Sequence, residues 1–410
     1  MKLPFIVLGF LLATVLPACD VLDQEKKVTE ITLDQKSATI VEGNNLFGFS
    51  FFEKVLSTED PNINIMISPL SVSQALSMAL NGANDNTLAQ MKEVLGFDGY
   101  STEELNQSNQ RIASSLIGHD PKVKMSIANS VWYRKDFSPK KLFIDDNKKY
   151  YGAEVSSYDP SKPNEAKKAM NNWVEDNTNG KIEEIIDEVS PESVLFLINA
   201  IYFKAEWKSK FKKSETGKAP FTLENGTVKE VETMKGEVDL SYYYNNSYTA
   251  IELPYGSGKF NMVVFLPEDG YTTADISGDI SNFNFDLLKK STLSKREIWL
   301  PKFEFAYKNE LNDELVSMGM SDAFNSSNAN FSNLSDIPLF ISKVMHKTYI
   351  KTDEEGSEAA AATSVEFRFT SAGPVGPIKI DRSFLFAIVE EDTGAILFAG
   401  KMFDPTLTTN

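Results

Sequence analysis

Residues 353–377, DEEGSEAAAATSVEFRFTSAGPVGP, carry the pattern that decides the fold. From Ser357 to Phe369, every second residue is small or apolar, and the residues between them are small or charged. A period of two residues is typical of a strand with one face in a core. The side chains are smallest at the start of the run, and the tail from Thr370 to Pro377 has the composition of a loop.

Three interpretations fit this stretch. The Glu-Ala-Ala-Ala-Ala run favours a helix by intrinsic propensity. The alternation fits an ordinary strand in a sheet. Neither explains the loop-like tail, and a strand that starts with alanines and ends in a long loop also fits a strand that is not always in place. The pattern alone leaves all three open.

Short motifs continue in both directions, from about residue 45 to 405. They are NIMISPLS at 64–71, Asn171 with Trp173, TNGKI at 178–182, NAIYFKAEW at 199–207, LPY at 253–255, LPKF at 300–303, HK at 346–347, FLF at 384–386 and FAGK at 398–401. Together with EEGSEAAAAT at 354–363, they resemble the inhibitory serpins, in which the last segment is the hinge of the reactive loop. Each motif is weak alone, but their shared order covers nearly the whole chain.

Periodicity independently predicts an α+β fold, because helices come first, strands dominate later and regular βα alternation is missing. The predicted helices lie at 44–56, from Ser68 to 81, at 87–95, 166–177 and 311–318. The predicted strands lie at 64–67, 124–133, 194–203, 248–254, 261–267, 296–301, 383–390 and 395–401. The resemblance implies the serpin fold, with about nine helices around three β-sheets and an exposed, mobile reactive loop.

The resemblance also implies a single-use protease inhibitor. A target protease attacks the loop, forms an acyl-enzyme and is trapped when the loop inserts into the main sheet. The expected targets are serine proteases of the elastase, subtilisin, chymotrypsin or trypsin type, and papain-like cysteine proteases. The alternative is a non-inhibitory serpin that acts as a carrier or chaperone, since a fold does not fix a function.

The resemblance assigns three groups of site residues. The hinge consists of Glu354, Gly356, Ser357, Glu358, Ala359, Ala360, Ala361, Ala362 and Thr363. The expected reactive bond joins Thr370 and Ser371, with Arg368, Phe369 and Ala372 as alternatives, because counting from the hinge and counting back from Phe384 differ by two residues. The residues expected where the sheet parts are Ser68, Ser71, Asn199, His346 and Trp207.

Composition excludes several other functions. The formal net charge of −17 disfavours nucleic-acid binding, which needs a basic face. One cysteine and two histidines provide no short-spaced metal-ligand set, so no metal site is expected. Phosphate-loop and nucleophile-elbow motifs are missing, so we expect neither a cofactor nor an enzyme. A monomer is expected.

The first residues predict an exported lipoprotein. Lys2 precedes an apolar run that is too short to span a bilayer and fits a signal peptide over 1–18. The run ends at Cys19, the only cysteine, in a context that resembles a bacterial lipidation site. A polar tether is predicted over 19–42 and the serpin domain over 43–410. The expected location is the outer membrane, the cell surface, the periplasmic face or the extracellular space, with a lipid holding the chain on the membrane.

Overall fold

A computed structural model describes residues 28–281, 283–291, 293–357 and 376–408. The signal peptide, Cys19, and the loop residues Glu358–Thr363 and Arg368–Ala372 lie outside the described residues. Within the described part of the chain, no helix has the length and apolar character needed to cross a membrane.

Nine α-helices occur among the described residues. They are α1 (Gln35–Thr58), α2 (Pro69–Leu80), α3 (Asp85–Val94), α4 (Thr102–Leu116), α5 (Lys141–Tyr151), α6 (Pro163–Asn177), α7 (Thr273–Ile280), α8 (Asp286–Lys289) and α9 (Asn312–Ser317). Helix α2 begins as predicted, because the Ser68 side chain accepts a hydrogen bond from the N–H of Ser71 and Pro69 occupies the first turn.

Fifteen strands are described. They are β1 (Ile65–Ile67), β2 (Val123–Arg134), β3 (Glu154–Tyr158), β4 (Leu195–Glu206), β5 (Gly217–Thr222), β6 (Val228–Tyr244), β7 (Tyr248–Tyr255), β8 (Phe260–Pro267), β9 (Ser294–Pro301), β10 (Phe303–Glu310), β11 (Met345–Asp353), β12 (Gly356–Ser357), β13 (Ile378–Lys379), β14 (Phe384–Glu390) and β15 (Ile396–Met402). All eight predicted strands are confirmed within a few residues.

The strands form three sheets, as expected. The main sheet has the order β10-β11-β12-β4-β2-β3. A second sheet runs β1-β15-β14-β8-β7, and the third contains β5, β9 and β13. The long strand β6 belongs to both, because residues 241–244 pair with β7 whereas 228–240 pair with β5 and β9.

Strand β4 is buried on both faces, as its continuous apolar run predicted. On one face, Phe203 makes edge contacts with Tyr255, Phe260 and Phe398 of the second sheet, with ring centroids 5.7–6.2 Å apart. On the other face, Ile198 and Ala200 join a separate apolar cluster formed by α6 and the segment after it. The main sheet is therefore covered by the second sheet behind and by α6 in front.

One predicted boundary was wrong. Helix α1 begins at Gln35, where the Asp34 side chain accepts a hydrogen bond from the N–H of Ser37, and not at residue 44. Residues 35–42, which the sequence assigned to the tether, are therefore helical. Gly43 suggested a break, but it serves close packing, because a Cβ there would lie 2.6 Å from the carbonyl oxygen of Gly96.

Candidate functional site

The hinge begins inside the main sheet. Gly356 and Ser357 form the two-residue strand β12, which pairs with β11 on one side and β4 on the other. Gly356 lies opposite Asp353 and Glu206, and Ser357 lies opposite Thr352 and Ala205. The first residues of the predicted loop are thus already a central strand.

The turn that leads into β12 requires a glycine. Gly356 has φ +150°, and a Cβ on it would lie 2.1 Å from the carbonyl oxygen of Ala205 and 2.8 Å from the amide nitrogen of Trp207. Contacts of this kind are with backbone, which has little freedom to move aside. The hydrogen atom of glycine is what allows the chain to approach β4 this closely.

The buried carboxylate of Glu354 holds the same turn. The Lys302 ammonium donates to it at 2.9 and 3.0 Å, and the Thr216 hydroxyl donates at 2.8 Å. Burial raises the pKa of Glu354, but these hydrogen bonds outweigh burial and hold the pKa below its usual range. The backbone carbonyls of Glu354 and Glu355 also accept hydrogen bonds from the N–H groups of Phe211 and Trp207.

Ser357 is the last described residue of the hinge, and 3% of its surface is exposed. Its hydroxyl lies 2.7 Å from the hydroxyl of Tyr255 and 3.3 Å from that of Thr352. Burial raises the pKa of the Tyr255 phenol, so this side chain stays neutral and able to donate. A small polar side chain fits this position, and a large or charged one does not.

Below β12, strands β4 and β11 separate. Among the described residues no ladder pair joins β4 to β11 directly, and the only strand between them is β12. A small cavity of about 20 Å³ lies in this gap, lined by Ser357 itself, by Ile201, Tyr202 and Phe203 of β4, and by Tyr349, Ile350 and Lys351 of β11. Thr178, Lys181 and Ile182, which follow α6, also line it. A strand that continued from Ser357 would enter this gap.

Four of the five residues expected at the sheet opening come together. The Ser68 hydroxyl donates to the carbonyl of Leu397 at 2.7 Å, while the Ser68 N–H donates to Nε2 of His346 at 3.0 Å. The Ser71 hydroxyl donates to Oδ1 of Asn199. We call Ser68, Ser71, Asn199 and His346 the shutter cluster.

The shutter cluster ties helix α2 to the strands on both sides of the gap, because Asn199 lies on β4 and His346 on β11. Burial lowers the pKa of His346 to about 4, so the ring is neutral and its Nε2 can accept the bond from Ser68. The cluster is fully buried and fully hydrogen-bonded at these atoms.

Trp207, the fifth residue, is not in the shutter cluster. It lies at the hinge, eight positions along from Asn199, where its ring stacks on Tyr255 at 4.4 Å and its Nε1 donates to the carbonyl of Asp353 at 2.9 Å. Trp207 therefore contacts the turn before β12, at the upper end of the gap.

Sequence reasoning missed four residues of the site. No sequence motif marked Asn129. Its Oδ1 accepts a hydrogen bond from Nδ2 of Asn199 at 2.7 Å, between the neighbouring strands β2 and β4. Three further residues contact the hinge from distant parts of the chain: Tyr255 on β7, Lys302 between β9 and β10, and Thr216 just before β5. Tyr255 and Lys302 lie within the LPY and LPKF motifs. These motifs supported the family resemblance, but they did not indicate a contact with the hinge.

The far end of the loop returns to another sheet. Ile378 and Lys379 form β13, which pairs in parallel with β9 opposite Ile298 and Trp299. Within the described residues, β12 in the main sheet ends at Ser357 and the next strand begins at Ile378. Residues 358–377 connect two ordered strands in different sheets.

Comparison with known proteins defines the class of molecule that has this hinge and sheet. The family model for serpins (serine protease inhibitors) matches residues 42–405. The chain belongs to the serpin family.

Particular relatives cover nearly all of the chain. Human leukocyte elastase inhibitor is 34% identical over 382 residues, which are 88% of this chain and 98% of the inhibitor. An uncharacterized serpin-like protein of Methanosarcina acetivorans is 33% identical over 377 residues, 89% of this chain and 88% of its own length.

Solved structures share the fold. The native state of the thermophilic serpin tengpin has a TM-score of 0.81 at 35% identity, covering 92% of this chain and 96% of that one. The latent state of tengpin gives a TM-score of 0.78. Human thyroxine-binding globulin complexed with its hormone gives 0.81 at 29% identity, covering 91% and 100%. Serpins with different activities thus share this architecture.

Proposed function

We propose that this serpin is a single-use protease inhibitor that traps its target by inserting the cleaved loop into the main sheet. The observation that carries the proposal is strand β12. Gly356 and Ser357 already pair with both β4 and β11, directly above the gap between these strands.

The chemistry begins with attack on a loop bond. The nucleophile of the protease adds to the carbonyl of the residue before the cut, and the amide nitrogen takes a proton and leaves with the downstream fragment. The upstream loop stays joined to the protease as an ester or thioester. Water would normally hydrolyse this acyl-enzyme.

Insertion competes with that hydrolysis. After the cut, the loop is held only by its hinge, and it can extend β12 downward between β4 and β11. A strand from Ser357 to Thr370 rises about 3.3 Å per residue and so spans about 45 Å, which carries the protease from one end of the sheet to the other. Distortion that slows deacylation by about 10⁶ requires about 8 kcal/mol of added barrier.

The hinge sequence suits this task. Ser357 is small and buried, and Ala359 and Ala361 continue the same alternation of small residues in the sequence, which supports the proposal. The intervening Glu358 would point to the other face. The shutter cluster would have to rearrange as the strands part, and the segment after α6 that lines the gap would have to move aside.

The reactive bond is proposed to be Thr370–Ser371, with cuts after Arg368, Phe369 or Ala372 as alternatives. Thr370 suits elastase-like or subtilisin-like proteases, Arg368 suits trypsin-like ones and Phe369 suits chymotrypsin-like ones. Papain-like proteases also form an acyl-enzyme. Mass spectrometry of the released fragment identifies the bond for each protease. We expect more than one bond to be used, and a single cut shared by all proteases would refute that expectation.

The test of inhibition is a covalent complex. After mixing with active proteases of each class, we expect a band on a denaturing gel that contains both proteins and resists boiling in detergent. The matched control is the same protease with its catalytic nucleophile blocked, which should give no such band. If no serine or cysteine protease gives the band, and the chain is only cleaved, the carrier interpretation replaces the inhibitor.

We also propose that the chain is exported and anchored by a lipid on Cys19, since its one cysteine occupies the cleavage context. Cells that express the full chain should place it in the membrane fraction, and Cys19→Ala should release it. If the unmodified chain and Cys19→Ala divide equally between the membrane and soluble fractions, anchoring through Cys19 is contradicted.

A further inference from the structure

A side-chain cluster far from the hinge turn contains a buried histidine whose inner nitrogen has no hydrogen-bond partner. The His119 side chain is 7% exposed, and its Nε2 is among the few buried polar atoms of the described residues that lack a partner. This nitrogen faces two carboxylates, at 3.5 Å from Oδ2 of Asp392 and 4.0 Å from Oε1 of Glu390. A buried polar atom that is left unpaired in this way calls for an explanation.

The distances fit a shared ion better than a direct hydrogen bond. A hydrogen bond to a ring nitrogen needs about 2.7–3.2 Å. Two ligands bound at about 2.0–2.1 Å to a tetrahedral ion lie about 3.3 Å apart. The ligand atoms of His119, Glu390 and Asp392 all lie within 4.8 Å of one another, so they can surround one ion after small movements.

Both carboxylates are held in place by hydrogen-bond donors, which include donors to the two oxygens that face His119. Glu390 accepts hydrogen bonds from the N–H of Asp392 at 3.0 Å and from the N–H of Thr393 at 2.8 Å. Asp392 accepts the N–H of Ile31 at 2.8 Å and the Lys259 ammonium at 2.6 Å. Donors of this kind orient the ligands of protein metal sites.

The charges also favour a cation. Two carboxyl groups and one ammonium group, that of Lys259, meet at this point, so acidic groups are in excess. The neighbouring Glu391 is turned away, because it contacts Asn261 and Lys289.

The histidine is fixed from its own side of the molecule as well. The adjacent Asp120 accepts the N–H of Ser257 at 2.7 Å, which pins the connection between α4 and β2 onto the turn before β8. The His119 ring then packs edge-on against Phe260, with centroids 6.4 Å apart. A rigid, pre-oriented ring of this kind is suited to ligation.

We propose that His119, Glu390 and Asp392 bind a transition-metal dication, for which Zn²⁺ is the probe. One imidazole and two carboxylates suit zinc and its neighbours better than calcium or magnesium, which prefer oxygen alone. The ion would join the α4–β2 connection, which carries His119, to the end of β14 and the turn that follows it, which carry Glu390 and Asp392. Spacing in the sequence did not indicate the site, because residues 119 and 390 are far apart in the chain.

The test uses the full chain after removal of metals by a chelator. Calorimetric titration with Zn²⁺ should give one site, and His119→Gln or Asp392→Asn should weaken binding about tenfold or more. The matched control is Glu391→Gln, which removes the same charge from the same turn and should leave the affinity unchanged. Binding that is equally tight in His119→Gln, or loss of binding in Glu391→Gln alone, would overturn the assignment.

A second measurement needs no variant. The chain has two histidines, and His346 is buried in the shutter cluster, so imidazole ¹H–¹⁵N spectra contain one candidate ligand and one internal reference. Zn²⁺ should shift the His119 signals and leave those of His346 in place. If Zn²⁺ shifts neither while acid titrates His119, the cluster binds a proton and the metal assignment is wrong.

Discussion

Replacement of Ser357 by arginine tests the role of the hinge most sharply. In the native sheet the Ser357 side chain is 3% exposed and its hydroxyl contacts Tyr255. An arginine there would bury a charge with no acidic partner among these contacts, which costs several kcal/mol. We therefore expect β12 to leave the sheet and insertion to begin against an added barrier of about 3 kcal/mol.

A barrier of that size slows insertion about 150-fold, since each 1.36 kcal/mol is tenfold in rate. Hydrolysis of the acyl-enzyme is unaffected, so Ser357→Arg should be cleaved as a substrate and should trap little protease. The assay is the ratio of covalent complex to cleaved serpin on a denaturing gel, at several ratios of serpin to protease. The matched control is Glu358→Arg, which adds the same side chain on the opposite face and should still trap. If Ser357→Arg traps as efficiently as the unmodified chain, the insertion argument is refuted.

Three further predictions concern the hinge and the shutter cluster. Glu354→Gln removes the charge that pairs with Lys302 and should cost the native state about 1–3 kcal/mol; its midpoint of thermal unfolding should fall, and an unchanged midpoint would show that the ion pair does not hold the hinge. Gly356→Ala forces a Cβ into the backbone of β4 and should cost about 1–3 kcal/mol or more; an undiminished yield of covalent complex at an unchanged melting temperature would contradict the contact. The pKa of His346 is about 4 in the folded chain and about 6.5 in an unfolded chain. Below pH 6.5 the unfolded state therefore binds the proton more readily than the folded state. Up to about 3 kcal/mol of stability should be lost as the pH falls from 6.5 to 4. Denaturant unfolding at a series of pH values measures this loss, and His346→Gln should show less pH dependence, whereas an equal slope in both proteins would exclude His346 as its source.

Periodicity predicted much of the fold. Strand β4 reads as a continuous apolar run because both its faces are covered, and α2 is marked by a cap and a proline. The start of α1 was not predictable, because Gly43 reads as a helix break. Gly43 is needed because the chain packs closely against Gly96 at this point, and a contact between residues so far apart leaves no signal in the local sequence.

The candidate site was predicted unevenly for a similar reason. The hinge is local and its alternation is visible from Ser357 onward, and the structure has Gly356 and Ser357 in a short strand of the main sheet. The residues that hold it, Tyr255 and Lys302, come from distant parts of the chain, and only the folded chain shows their contacts. The resemblance grouped Trp207 with Asn199, but eight residues of extended chain separate the two by about 26 Å.

The central claim is that the intact chain is metastable and becomes more stable once its loop is cut and joins the main sheet. The direct measurement is the midpoint of thermal unfolding before and after a protease nicks the chain between Ser364 and Gly373, with both fragments still associated. We expect a large upward shift, because the new strand completes the ladder between β4 and β11. An unchanged or lower midpoint in the nicked protein would mean that no free energy is available to trap a protease.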